Sequence, residues 1–162
     1  MKKYIILGVA YDWGYRKGLD IFLDLYSKIS DDYQIVLVGI DASIIDMPQG
    51  IICIPRTNSQ EELAKIYSAA DVFLNPTRED NYPTVNMEAI SCGTPVITFN
   101  TGGSPEILSG ECGLVVEDGD LDGVITGIKR IVGCPENRLA CLNACKNFDQ
   151  NNRFREYISL YK

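Results

Sequence analysis

Six short runs rich in Val, Ile and other apolar residues recur along this 162-residue chain, each followed by a stretch of different period. They fall at 3–10 (KYIILGVA), 34–40 (QIVLVGI), 50–55 (GIICIP), 71–76 (DVFLNP), 95–100 (PVITFN) and 113–117 (GLVVE). Near-continuous apolar strands must be covered on both faces, which is the condition of a parallel sheet. Helical patterns lie between them at 17–30, 59–70, 82–93, 104–108 and 120–133, with an optional further helix between the second and third strands. Ser59 followed by Glu62 forms a capping box, which fixes the start of the second helical segment. The alternation predicts an α/β fold: a doubly wound, Rossmann-like parallel sheet of about six strands in one domain spanning 1–162. The tail predicts a helix from about 135, a break near 149–152, and a terminal helix carrying Phe154, Tyr157, Ile158 and Tyr161.

Composition narrows the function classes. A hydrophobic fraction of 46% and a charged fraction of 23% are those of a globular chain. The formal charge of −7 disfavours nucleic acid and anionic membranes as partners. No apolar run approaches the ~18 residues of a membrane span. The basic-then-apolar opening reads as a first strand and not a leader, so the expected location is cytoplasmic. The six cysteines show no C-x-x-C pair and are expected as reduced thiols, with Cys141 and Cys145 on a packed helix face. There is no histidine, which removes Ser-His-Asp and Cys-His catalysis and leaves carboxylates, cations or the substrate itself.

In such sheets ligands bind beyond the carboxyl ends of the strands, near helix N-termini. Three loops there are suggestive. After the first strand, "GYRKG" brings Arg16 and Lys17 to the mouth of a helix, a setting for phosphate. It contains neither G-x-G-x-x-G nor the Walker loop. After the fourth strand, "NPTREDNYPTVNMEAI" carries acidic residues into a helix whose first turn accepts Pro83. There Val85, Ala89 and Cys92 form the expected apolar row, with Met87 and Ile90 beside it. Glu88 borders it as a partly buried carboxylate needing donors: a backbone amide, an arginine, or the hydroxyls of a sugar or ribose. Arg78 and Glu79 are expected at the surface. After the fifth strand, Gly102-Gly103 precede Ser104-Pro105 at a tight βα turn.

Taken together, "RKGLDIFLDL", "IVLVG", "EELAKIYSAADVFLNPTREDNYPTVNMEAISCGTPVITFNTGGSPEIL", "CGLVVEDGD" and "REYISLYK" resemble the carboxyl-terminal, nucleotide-sugar-binding domain of a retaining family 4 glycosyltransferase with the GT-B fold. The family signature is two glutamates separated by seven residues. The resemblance implies that Asp80 takes the first acidic place, near the transferred sugar, and Glu88 the second, on the nucleotide ribose. It carries the diphosphate-binding lysine over to Lys17. The family's arginine after the first strand is replaced by Gly8-Val9-Ala10, with Arg16 nearby but out of register. Asn81, Tyr82, Pro83, Thr84 and Val85 would face the donor, Arg56 would lie against its base, and Gly102 and Gly103 would approach it closely. No metal and no cofactor beyond the nucleotide-diphosphate sugar is implied. The implied partners are an amino-terminal domain, to which the terminal helix (about 152–162) would cross, and an acceptor sugar or lipid-linked glycan. The implied role is polysaccharide, lipopolysaccharide or glycoconjugate synthesis. A non-catalytic nucleotide-sugar-binding module and a fragment of a GT-B-like epimerase are the alternatives.

Overall fold

The computed structural model describes residues 3–41 and 46–160. The six expected strands form within two residues of their predicted bounds: β1 Tyr4–Val9, β2 Tyr33–Val38, β3 Ile52–Ile54, β4 Val72–Asn75, β5 Val96–Phe99 and β6 Gly113–Val116. They make one sheet in the order β3-β2-β1-β4-β5-β6, every pair parallel. The chain therefore winds outward through β2 and β3, then returns to place β4 on the other side of β1. Loops leaving the tops of β1 and β4 head in opposite directions, and a crevice opens between them.

Seven α-helices are seen among the described residues: α1 Leu19–Lys28, α2 Gln60–Ala69, α3 Thr84–Ser91, α4 Ser104–Ile107, α5 Leu121–Val132, α6 Glu136–Ala144 and α7 Gln150–Ser159. The optional helix between β2 and β3 would overlap 42–45, outside the described residues, as does Tyr161 of the predicted terminal row. Successive strand residues face opposite sides. Ile6, Leu37, Leu74 and Ile97 enter a core with α1 and α5, while Leu7, Val36, Phe73 and Val96 enter a second with α2, α3 and α6. The sheet is thus sandwiched, as its apolar runs require.

The structure departs from the expected pattern at two places near the crevice. The first predicted helix begins two residues late: a 3-10 turn at Tyr15–Lys17 precedes it and ends at Gly18, whose φ of 73° is left-handed, and α1 begins after that. Lys17 therefore stands on the turn, not on α1. On α3 Ala89 and Ile90 are buried and Val85 and Cys92 of the expected row pack partly buried on the same core, but Asn86 is buried among them, which periodicity does not predict. Glu88 is an exposed residue and not the partly buried one expected. Ser59 Oγ accepts from the Glu62 amide as the capping box requires.

Candidate functional site

At the β1/β4 crevice lies a cleft of about 600 Å³. Its β1 side is Val9, Ala10, Tyr11, Asp12, Arg16 and Lys17; its β4 side is Asn75, Asp80, Tyr82, Pro83, Thr84 and Val85. Across it Lys17 Nζ meets Asp80 Oδ2 at 2.8 Å, with the two side chains 19% and 22% exposed. Arg16 lies 3.8 Å from Asp12 Oδ2, both largely in solvent. The start of α3 faces the same cleft. Pro83 sits at its N-cap, one position before the expected first turn, and supplies no side-chain cap. The first amides of α3 are thus left with the positive end of the helix dipole at the cleft wall.

Each wall is fastened from behind. Trp13 Nε1 donates to the Val38 carbonyl at 2.9 Å and packs edge-on to Phe22, pinning the β1 loop to its neighbours. Asn75 Nδ2 donates to Asn86 Oδ1 at 2.8 Å, both buried, so the end of β4 sets the position of α3. Thr98 Oγ1 donates to the Asn75 carbonyl, and Thr101 Oγ1 to that of Thr77.

The remaining sequence-predicted residues stand around this cleft and do not line it. Gly102, with φ of 50°, presses on the Asp80 carbonyl where a Cβ would clash, and the Gly103 amide donates to the Asn81 carbonyl at 2.9 Å. The double glycine thus props the Asp80–Asn81 loop from outside. The Arg56 guanidinium stacks over Tyr11, 4.3 Å from the ring centroid, and so touches the rim. Glu88 borders a second groove of about 460 Å³ between α2 and α3, with Gln60, Leu63, Tyr67, Met87 and Phe148 among its walls. Thr84 lines both cavities, so the groove adjoins the cleft at the start of α3. The donor that Glu88 finds is none of the expected protein partners: it accepts from the Tyr67 hydroxyl at 3.1 Å.

A profile of the family described as glycosyl transferases group 1 matches residues 2–133. The chain belongs to the glycosyl transferases group 1 family. A sulfoquinovosyl transferase of Arabidopsis thaliana is 26% identical over 133 residues, covering 77% of this chain and 26% of that protein. Among solved structures, HepE of Anabaena in complex with UDP-glucose superposes with a TM-score of 0.77 at 15% identity, covering 97% of this chain and 49% of that one. Sucrose-phosphate synthase from Thermosynechococcus elongatus gives 0.70 at 23% identity, covering 98% and 46%. The chain therefore spans about a quarter to a half of these relatives, and its sheet is of the GT-B type.

For a glycosyl transferases group 1 chain, the residue that sequence reasoning misplaced most is Arg78. Expected at the surface, it is 13% exposed and grips Asp20 with both terminal nitrogens at 2.9 Å. Asp118 Oδ1 lies 3.0 Å from its Nε, its Nη1 donates to the Tyr15 carbonyl, and its plane stacks 3.9 Å from the Tyr15 ring centroid. The Arg78 amide donates to the Arg16 carbonyl at 2.9 Å. One side chain therefore joins the loops after β1, β4 and β6, directly behind Lys17 and Asp80. The bond to Asp20 holds the guanidinium pKa above its ordinary value. Glu79 is exposed as expected. Among the described residues no group of three or more His, Cys, Asp or Glu is placed to hold a metal, and no helix is long and apolar enough to cross a membrane. All six cysteines are unpaired thiols.

Proposed function

We propose that this chain is the donor-binding half of a retaining family 4 glycosyltransferase, which moves a sugar from a nucleotide diphosphate to an acceptor hydroxyl. The observation that carries the reading is the Lys17–Asp80 pair facing the uncapped start of α3 at the strand crossover. Such a place suits an anion beside a polyhydroxyl group. The bound UDP-glucose of the Anabaena relative supports a sugar nucleotide as the ligand class.

On this reading the diphosphate lies against Lys17, Arg16 and the first amides of α3, and Asp80 accepts from a hydroxyl of the transferred sugar. The ribose reaches past Thr84 to Glu88, and the base extends toward Arg56. The bond between the anomeric carbon and the diphosphate oxygen breaks as the acceptor oxygen attacks from the same face. The acceptor proton passes to the leaving diphosphate. Negative charge grows on that diphosphate, and fixed cations and amides that meet it there lower the barrier. No metal or histidine is called for in this scheme. The acceptor would be held by a companion domain, for polysaccharide, lipopolysaccharide or glycoconjugate synthesis. The exposed Phe154 and Ile158 of α7 offer that domain an apolar face. Six unpaired thiols fit a cytoplasmic setting.

Saturation-transfer NMR with UDP-, GDP- and ADP-sugars tests the proposal: one base class is expected to bind, with transfer little or none from this chain alone. No signal from any donor would overturn it, and robust transfer by the isolated chain would overturn its half-site part. Two observations favour a second reading, a nucleotide-sugar-binding module without transfer. Both cations of the cleft already face carboxylates, and Val9 and Ala10 line it where the family arginine is expected. A longer protein carrying this chain that binds a donor yet neither transfers nor hydrolyses it would select that reading.

A further inference from the structure

Tyr67 sits near the end of α2 with only 1% of its surface exposed, its ring edge-on to Phe73 at 5.4 Å. A buried tyrosine leaves a hydroxyl that must find a partner. Here it crosses from α2 to α3 and donates to Glu88 Oε2. The donor itself is immobile: the Tyr67 carbonyl accepts from Thr94 Oγ1 at 2.6 Å and from the Ala70 amide at 3.0 Å, and the ring is enclosed by the α2/α3 core. Glu88 is the opposite case. It stands on the exposed side of α3, where a glutamate side chain is free to populate several rotamers. A rigid donor bonded to a flexible carboxylate selects one of them. Burial first, and the Glu88 charge second, push the phenol pKa far above its ordinary value, so the O–H remains a donor at any working pH.

We propose that Tyr67 is a positioning residue for ligand recognition. It holds one oxygen of Glu88 so that the other is presented to the groove, where it takes the paired hydroxyls of a ribose. This rests on the donor-binding reading and adds to it a residue that contacts no ligand. The competing possibility is that the bond merely ties α2 to α3.

Tyr67→Phe separates the two, because it keeps the ring and removes only the hydroxyl. The probes are UDP and GDP beside their 2′,3′-dideoxy counterparts, titrated calorimetrically against the unmodified chain, Tyr67→Phe, Glu88→Ala and the double variant. If Tyr67 positions Glu88, Tyr67→Phe weakens the ribose form by about 5- to 10-fold and the dideoxy form by less than about twofold. In the Glu88→Ala background it then costs nothing further, since the positioned group is gone. Equal losses for both sugar forms, or losses that multiply in the double variant, would reduce the bond to a structural tie and overturn the proposal. Glu88→Ala lies on an exposed helix face, so it reports even where Tyr67→Phe folds poorly. Binding without preference for the ribose form would remove the role of Glu88, and with it that of Tyr67, while leaving donor binding intact. Absence of binding by either nucleotide would remove the donor reading itself.

Discussion

Replacing Arg78 with methionine keeps the stem of the side chain and deletes the guanidinium that joins three loops. The cost depends on the groups that remain. Asp20 and Asp118 are 39% and 50% exposed, so both regain water when the guanidinium goes, and no buried charge is stranded. The loss is therefore well short of the ~3–5 kcal/mol of a broken buried pair. It exceeds that of one exposed pair, about 0.2–1 kcal/mol, because the Asp20 contact is bidentate and the arginine itself is mostly enclosed. The stacked Tyr15 ring adds about 0.5–1 kcal/mol. We expect a total of about 2 kcal/mol, read as a fall of about 1 M in the urea midpoint with the slope unchanged. Arg78→Lys keeps the charge and loses the fork, so it should fall between the two. High salt should narrow the gap between parent and Arg78→Met by screening the parent's pairs. A loss under about 0.5 kcal/mol, or one that salt does not change, would refute the ionic account of the loop junction.

Three further perturbations probe other parts of the molecule. Gly102→Ala places a methyl against the Asp80 carbonyl at a left-handed φ, and is expected to cost more than about 1 kcal/mol in urea unfolding and to weaken nucleotide binding; a neutral result would detach the double glycine from the site. Asp80→Asn unmasks Lys17, so the affinity for UDP without sugar should rise several-fold while Lys17→Ala lowers it; calorimetry showing a fall for Asp80→Asn would contradict the masking of Lys17 by its partner. Burial pushes the Cys141 thiol up to about 12, whereas in the unfolded chain it ionises near its ordinary ~8.5. The folded state then binds the extra proton between those values. Its stabilising contribution is complete below about pH 8.5 and is lost toward pH 12, at up to about 1.4 kcal/mol per pH unit. Cys141→Ala should flatten that decline between pH 8 and 10, and equal slopes would contradict it.

Much of the fold was legible because the strands are local signals. A run such as 71–76 or 95–100 is apolar on both faces, and that alone demands cover from two layers of helices. The burial of Asn86 on α3 was not legible. Periodicity assigns the buried row to apolar residues, and Asn86 occupies it because Asn75, at the end of a strand, offers a buried hydrogen bond. Arg78 was misread for a related reason: Asp20 and Asp118 are distant in sequence and only the strand order brings them together. The Tyr67–Glu88 bond likewise joins two helices that periodicity treats separately. Lys17 was named from its loop and Asp80 through the resemblance, and their meeting at 2.8 Å is a product of the crossover between β1 and β4.

That meeting bears on how the proposed donor site would handle its ligand. Lys17 and Asp80 neutralise each other across the cleft, and Arg16 has Asp12 beside it. A diphosphate arriving alone must draw Lys17 away from a carboxylate that then has only water to turn to. A diphosphate carrying a sugar brings its own compensation, since a sugar hydroxyl can donate to Asp80 in place of the ammonium. The exchange of one charge-assisted contact for another costs less than the loss of one. On the proposed reading, Asp80 therefore favours the intact donor over the bare nucleotide that remains after transfer.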